Sequence, residues 1–309
     1  MPYYQRVDTP VLSNAEKRCR YIVCRDLEIT RKLNVHKMNK KQLTHTSNRF
    51  YRDLKKCAKQ VTADLDTDAI HRFRVGYKKL RAFLRMISSI NKKGGEIKIS
   101  KKLKRAYHIS GTIRDLQLQQ QRILESTKQE KRPRAYLDLL QQAVDKLQPE
   151  FAAILQDKPV DKCKKKTAKG IPVEFSTQQV SDYAKHSWAA VYSIIASRHL
   201  HDSKIHTVRK NLKDLFYNLK SFRDAEPVIT WQDLSKAKDE HYFEQLLEDL
   251  GSFQDNCTAI TLLNAGWLNG LNAYNRKILI QTRKACLKDK QEKKQLLVKK
   301  LLLVTSFNN

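Results

Sequence analysis

A pattern of seventeen residues occurs twice in this chain, and it describes a helix with one dry face and one cationic face beside it. From His71 to Ile87, basic or imidazole side chains fall at offsets 0, 3, 7, 10 and 14, as His71, Arg74, Lys78, Arg81 and Arg85. At 100° per residue these five share about a quarter of a helix surface. Apolar side chains fall at offsets 2, 6, 9, 13 and 16, as Phe73, Tyr77, Leu80, Leu84 and Ile87, and occupy the adjacent face. From His206 to Phe222 the pattern returns. His206, Arg209, Lys213 and Lys220 stand at offsets 0, 3, 7 and 14, with Val208, Leu212, Leu215, Leu219 and Phe222 at the apolar offsets. Any packed helix has an apolar heptad. A histidine, an arginine three later and a lysine seven later, in one register to the apolar set, is far less common. The pair reads as an internal duplication.

Composition bounds what such helices serve. The chain has 309 residues, enough for one large domain or two small ones. Hydrophobic residues make up 40%, so a core is within reach and wholesale disorder is disfavoured. Eight Gly and seven Pro are too few for an all-β chain full of tight turns, and long Leu, Lys, Gln and Ala-rich stretches favour an all-α fold. The net charge of +29 leaves a surface that repels itself until a polyanion neutralises it. Nucleic acid, an anionic membrane surface and an inorganic polyanion are the candidate partners. The six Cys show no CxxC pair and no zinc-like clustering, so they are expected to pack singly as thiols. No charged-then-apolar leader and no run of 18 apolar residues stands out, so neither a signal peptide nor a membrane span is expected.

Along the chain, residues 1–46 form a basic extension, helical over about 14–41. It is either an accessory helix docked on the main domain or a flexible basic arm. A helix is expected from about Ser47, with Phe50, Leu54, Cys57, Val61 and Leu65 at helical spacing. Asp66, Thr67 and Asp68 are N-cap candidates for the His71 helix, and Asp202 and Ser203 play that part before His206. Both histidines are thereby placed in a first turn, where free amides and the positive dipole end favour an anion. A third helix over about 98–126 carries Lys101, Lys102, Lys104, Arg105 and Arg114, and a fourth runs from about Pro133 to Gln156. Residues 157–175, with Pro159, Gly170, Pro172 and Lys164–Lys166, read as a linker and a solvated loop. Ser176 and Gln179 form a capping box that opens a second set of helices, at about 177–200, 203–223, 233–263 and 267–303. The organisation is four helices over 47–156, the linker, and four helices over 176–303.

A second repeated element follows the stripes. Gly111-Thr-Ile-Arg114-Asp115 lies 40 residues after His71 by its glycine, and Gly251-Ser-Phe-Gln254-Asp255 lies 45 after His206. A glycine inside a helix costs about 1 kcal/mol against alanine, which points to close helix approach or a kink. Asp115 and Asp255 are placed to orient a cation of the stripe, and cationic neighbours should hold them ionised. Otherwise the chemistry is sparse. There is no phosphate loop, GxSxG elbow, HExxH or kinase-like set, and no ExExK pattern of a triphosphate tunnel domain. His199 and His201 near His206 read as a histidine-rich helix end, since no carboxylate or cysteine ligand accompanies them. No catalytic residue, metal or cofactor is called.

At these residues the sequence resembles the CHAD family, the conserved histidine α-helical domain. His71, Arg74, Lys78, Lys79 and Arg81 match its first basic helix, and His206, Arg209, Lys210 and Lys213 its second. Gly111, Arg114 and Asp115, and Leu250, Gly251 and Asp255, match its later segments. The match covers roughly 47–303. It implies two four-helix bundles related by a pseudo-twofold, with cationic helices facing a shared basic central pore. It also implies non-catalytic binding of inorganic polyphosphate and a cytoplasmic place at polyphosphate granules. With Arg85, Lys101, Lys104, Arg105 and Lys220 from the basic helices, these cations make up the expected site. The second copy departs from the pattern with Asp214, Phe216 and Gln254 where the first has Lys79, Arg81 and Arg114. Nucleic acid is the rival partner, against which stand few exposed aromatics for stacking and no recognised nucleic-acid module. A polyphosphate-processing enzyme is the other rival, against which stand the missing carboxylate cluster and nucleotide loop. With the site empty, fixed cations should keep His71 and His206 mostly neutral near pH 7, and the lysines and arginines are expected to stay charged.

Overall fold

The computed structural model describes residues 37–63, 66–91, 95–223, 229–235 and 238–305. Over these residues the fold is all-α, with eleven α-helices and one short pair of strands. Helix α1 spans Lys40–Ala63, α2 Thr67–Ile90, α3 Lys101–Ser126 and α4 Arg134–Gln156. A short α5 (Pro159–Thr167) leads to α6 (Thr177–Ala196) and α7 (Asp202–Arg223). Then come α8 (Trp231–Ser235), α9 (Glu240–Leu262), α10 (Ala265–Leu268) and α11 (Ala273–Leu303). Strand β1 (Lys37–Asn39) pairs antiparallel with β2 (Glu174–Ser176), tying the start of α1 to the start of α6.

Local chemistry sets the main boundaries. The Asp66 carboxylate accepts the amides of Asp68 and Ala69 at the head of α2, satisfying donors that a first turn leaves free. Ser100 does the same for α3 through Leu103, and Ser176 and Gln179 form the capping box of α6. Packing then follows chain order twice. Helix α1 lies on α2, α2 on α3 and α3 on α4; α6 lies on α7, α7 on α9 and α9 on α11. The two sets meet through α2 against α7 and α3 against α9.

Burial supplies the binding force between these helices. One core gathers Tyr51, Phe73, Phe83, Tyr136 and Phe151, and a second gathers Trp188, Leu212, Trp231, Phe243 and Phe253. Helix α11 serves both. Its Leu279 and Cys286 lie in the first core, and its Leu297 and Leu301 in the second. At 31 residues it is about 46 Å long, enough to reach across both sets.

Several expectations change. Residues 1–36, with the helix expected over 14–41, lie outside the described residues. Helix α1 begins at Lys40 rather than near Ser47, because Leu43 and Ser47 are already buried against the body. Residues 157–175 are not a bare linker. They form α5, a 3-10 turn at Ala168–Gly170 and the start of β2, with Val160, Cys163 and Thr167 buried. The hydroxyls of Tyr51 and Thr167 share a hydrogen bond of 2.7 Å there. Lys164, Lys165 and Lys166 are exposed, but on the last turn of a helix. The helix expected over 233–263 is two, α8 and α9, and the last long helix starts at Ala273 after α10 and a turn at Gly270, whose φ is 81°. Cys57, Cys163, Cys257 and Cys286 are free thiols.

Phe73 is fully buried at the α2–α4 contact, edge-on to Phe151, whereas Leu296 on α11 is 60% exposed. Phe73→Ala should therefore cost about 3–5 kcal/mol of unfolding free energy and Leu296→Ala under about 0.5 kcal/mol, read by urea denaturation.

Candidate functional site

The caps fix where the two stripes begin. His71 is the fifth residue of α2 and His206 the fifth of α7, so the two histidines hold the same helical position. That position is the second turn, not the first. The amide of Ile70 already bonds the Asp66 carbonyl, and the amide of Ile205 bonds the His201 carbonyl. Free helix amides therefore end before either histidine, and Asp66 occupies those of α2. Asp202 and Ser203 are helical residues rather than caps, and Asp202 is held by Lys290 and Lys294 of α11.

Aromatic rings and backbone carbonyls hold the cations of α2 and α7 in place. Arg74 donates from Nη1 to the Tyr107 carbonyl at 3.1 Å, and its guanidinium carbon lies 4.9 Å from the Tyr107 ring centroid. Gly111, one turn further along α3, makes room for it: a Cβ there would stand 2.3 Å from Arg74 Nη1. Tyr107 stacks on Tyr77 with centroids 4.1 Å apart, and Arg81 lies about equally near both rings, at 5.8 and 6.0 Å. Lys79 and Lys213 approach the ring of Tyr217 from α2 and α7, at 6.0 and 5.9 Å. Such contacts attract a cation without cancelling its charge. The Nε atoms of Arg81 and Arg209 are buried and have no hydrogen-bond partner.

Lys78 is where the two stripes meet. Burial, then Arg74 of its own helix, then Lys213 and Arg209 of α7, push its ammonium down to about 7. Burial first, then Arg209, also pushes Lys213 down. Burial, then Arg114, Lys78 and Lys213, lowers the His71 imidazole. Helices α2, α3 and α7 thus bring their cations into one volume. Asp115 and Asp255 border it. Burial, the largest influence, pushes the Asp115 carboxyl up, while Arg74, Lys78 and Arg114 pull it down. The phenols of Tyr77 and Tyr217 are pushed up to about 12, chiefly by burial, so they remain O–H donors.

The other residues of the expected site are placed differently. Arg85 of α2 is paired with Asp214 of α7 at 2.8 Å, Lys220 with Glu244 of α9 at 3.1 Å, and Arg105 with Glu150 of α4. Arg114 donates to the Thr67 carbonyl at 3.1 Å. His206 Nδ1 donates to Gln254 Oε1 at 2.7 Å. Lys104 borders a cavity of about 210 Å³ together with Arg81 and Arg85. Lys79, Lys101 and Lys210 are exposed. Reading the sequence missed Tyr107 and treated Tyr77 as apolar filling. The one signal for Tyr107 is that it precedes Gly111 by a single turn. Gly251 differs from Gly111, since a Cβ there would meet nothing within 4 Å. Among the described residues no group of three or more His, Cys, Asp or Glu side chains is placed to hold a metal ion. No helix among them is long and apolar enough to cross a membrane.

Comparison with known proteins gives a family and a fold. The family model described as the CHAD domain matches residues 48–264. A crystal structure of the CHAD domain from the plant Ricinus communis superposes with a TM-score of 0.58 at 14% identity, over 87% of this chain and 88% of that one. No curated protein matches the chain.

The two glycines separate by mutation. Gly251→Ala should stabilise the fold by about 0.5–1 kcal/mol and leave anion binding unchanged. Gly111→Ala should displace Arg74 and reduce, several-fold, affinity for inorganic tripolyphosphate, read from the anion-dependent rise in melting temperature.

Proposed function

The chain belongs to the CHAD domain family, and we propose that its cationic cluster binds inorganic polyphosphate without turning it over. The observation that carries this reading is the convergence of Arg74, Lys78 and Arg81 of α2 with Arg209 and Lys213 of α7 in a covered place, where burial first and then these cations push Lys78 down to about 7. Cations crowded in a half-buried place are costly until an anion of matching charge density joins them. A linear chain of phosphates supplies that density. Guanidinium groups grip phosphate oxygens in pairs, an ammonium acts as a point charge, and neutral phenols add hydrogen bonds. Arg81 and Arg209, each with a buried and unpartnered Nε, are the readiest donors.

The same proposal includes an internal duplication of four helices, over 47–156 and 176–303. The shared position of His71 and His206 and the two parallel packing orders support it. We read the protein as a binder with no catalytic role, resident in the cytoplasm at polyphosphate granules. Among rival partners, single-stranded nucleic acid would stack its bases, yet Tyr77 and Tyr217 are only 2% and 9% exposed.

Three outcomes test this reading. Long-chain polyphosphate should out-compete duplex DNA at equal phosphate concentration. Equal or stronger DNA binding would favour an open basic surface. Arg74→Ala should weaken polyphosphate binding and flatten its salt dependence, by analogy with a log–log slope of roughly −0.9 per DNA phosphate contact. The triple change of Lys164, Lys165 and Lys166 to alanine should do less. Finally, a bound polyanion raises the pKa of Lys78 above its free-state value of about 7, so binding takes up a proton. Affinity should be greatest below about pH 7 and fall as pH rises toward about 9. This departs from the expectation that every lysine stays charged. Lys78→Arg should flatten the alkaline limb, and His71→Gln only the part below about pH 7. Calorimetry at constant ionic strength separates the two.

A further inference from the structure

We propose that Asp214 is a built-in competitor for the ligand, which holds Arg85 and narrows the advantage of long polyanions over short ones at the site; this rests on the polyphosphate reading. Asp214 is a carboxylate planted beside a cationic cluster. It lies on α7 one residue after Lys213, and its oxygen is 2.8 Å from Arg85 Nη1 of α2. Its side chain is 16% exposed, whereas that of Arg85 is 53% exposed. The pair therefore has one end covered and one end open to an arriving anion.

Its surroundings mark it as part of the site. The electrostatic neighbours of the Tyr217 phenol are Arg209, Asp214, Tyr107 and Arg81, so Asp214 shares that volume with two of the cluster's arginines. Arg85 also borders the cavity of about 210 Å³, whose charged lining is Arg81, Arg85, Lys104 and Glu96. Arg85 thus shares a recess with Arg81 of the cluster and with Lys104, and is tied to a carboxylate from the opposite helix. In the stripe of α2, Lys79 occupies the offset that Asp214 occupies in α7.

The consequence follows from charge. An anion of two or three phosphates is satisfied among Arg74, Lys78, Arg209 and Lys213. It gains little from Arg85, whose charge is already matched. A long chain has further phosphates to lay across Arg85 toward Lys104. Each must displace Asp214 and tolerate its repulsion. The pair therefore taxes the extension of a bound chain and leaves short anions nearly untouched.

The test is a double-mutant cycle between Asp214→Asn and Arg85→Gln, with tripolyphosphate and long-chain polyphosphate as the two probes. Asp214→Asn frees Arg85, so affinity for the long chain should rise about tenfold and that for tripolyphosphate less than about threefold. The log–log salt slope for the long chain should steepen by roughly one contact. Arg85→Gln should cost little in the wild type but abolish the gain in the Asp214→Asn background. The charge swap Arg85→Asp/Asp214→Arg keeps a pair and keeps Arg near the site, so it reports whether Asn alone perturbs the fold. An Asp214→Asn variant that binds the long chain no better, while Arg74→Ala still weakens it, would overturn this proposal and leave the polyphosphate reading standing. Equal gains for both probes, or strictly additive mutations, would also overturn it. Wild-type protein that binds neither probe would remove both readings.

Discussion

Repulsion among half-buried like charges is the constraint on which this structure turns. Two unit charges about 4 Å apart repel by about 4 kcal/mol at an effective dielectric constant of 20. Burial first, and then Arg74, Lys213, Arg209 and Arg81, push the Lys78 ammonium down to about 7. A fold that only sought stability would neutralise such a group with carboxylates. Here Arg74 is held by what leaves its charge intact: the ring of Tyr107, the carbonyl of Tyr107 and the space left by Gly111. The cost falls on the rest of the molecule, as it does at binding sites generally.

The framework that bears this cost lies directly beyond the cluster. Helices α2 and α7 touch through Asn218, whose amide donates to the Ala82 carbonyl at 3.3 Å, and through Phe83 and Phe222, whose rings are 6.3 Å apart. These buried contacts fix the relative position of two rows of charge that belong to different helical sets. Further out, α11 lies in both cores, and Asn256, bonded to Arg122 and Asp289, pins α9 to α3 and α11. Repelling groups stay close only because apolar surface and satisfied polar groups elsewhere prevent the helices from parting.

What the sequence made legible was periodic and local. The all-α class, the stripes on α2 and α7, the capping box at Ser176 and the matched histidines all follow from spacings within one helix. What it hid was non-local. The titration of Lys78 depends on Lys213 and Arg209, more than a hundred positions away. Arg85, Arg105 and Lys220 carry the same charge as Arg74 but meet Asp214, Glu150 and Glu244, and no spacing along a helix announces those partners. The two glycines looked alike in sequence, yet only Gly111 faces a guanidinium. The error of one turn at the histidines came from cap chemistry. Asp66, Thr67 and Asp68 all suit an N-cap, and the choice of Asp66 pushes His71 past the free amides.

The two helical sets share a packing order and the position of their histidines but differ in charge. Where the first set has Arg114, the second has Gln254, which hydrogen-bonds His206. Where α2 has Arg81, α7 has Phe216, which lies in the aromatic group with Trp231, centroids 6.1 Å apart. Where α2 has Lys79, α7 has Asp214. Each departure replaces a charge with a contact that serves the second set's own packing or its junction with the first. The positive field is accordingly strongest along α2 and α3 and weaker along α7. Lys78 lies where the two rows meet: burial first, and then Arg74 of α2 and Lys213 and Arg209 of α7, push its ammonium down to about 7.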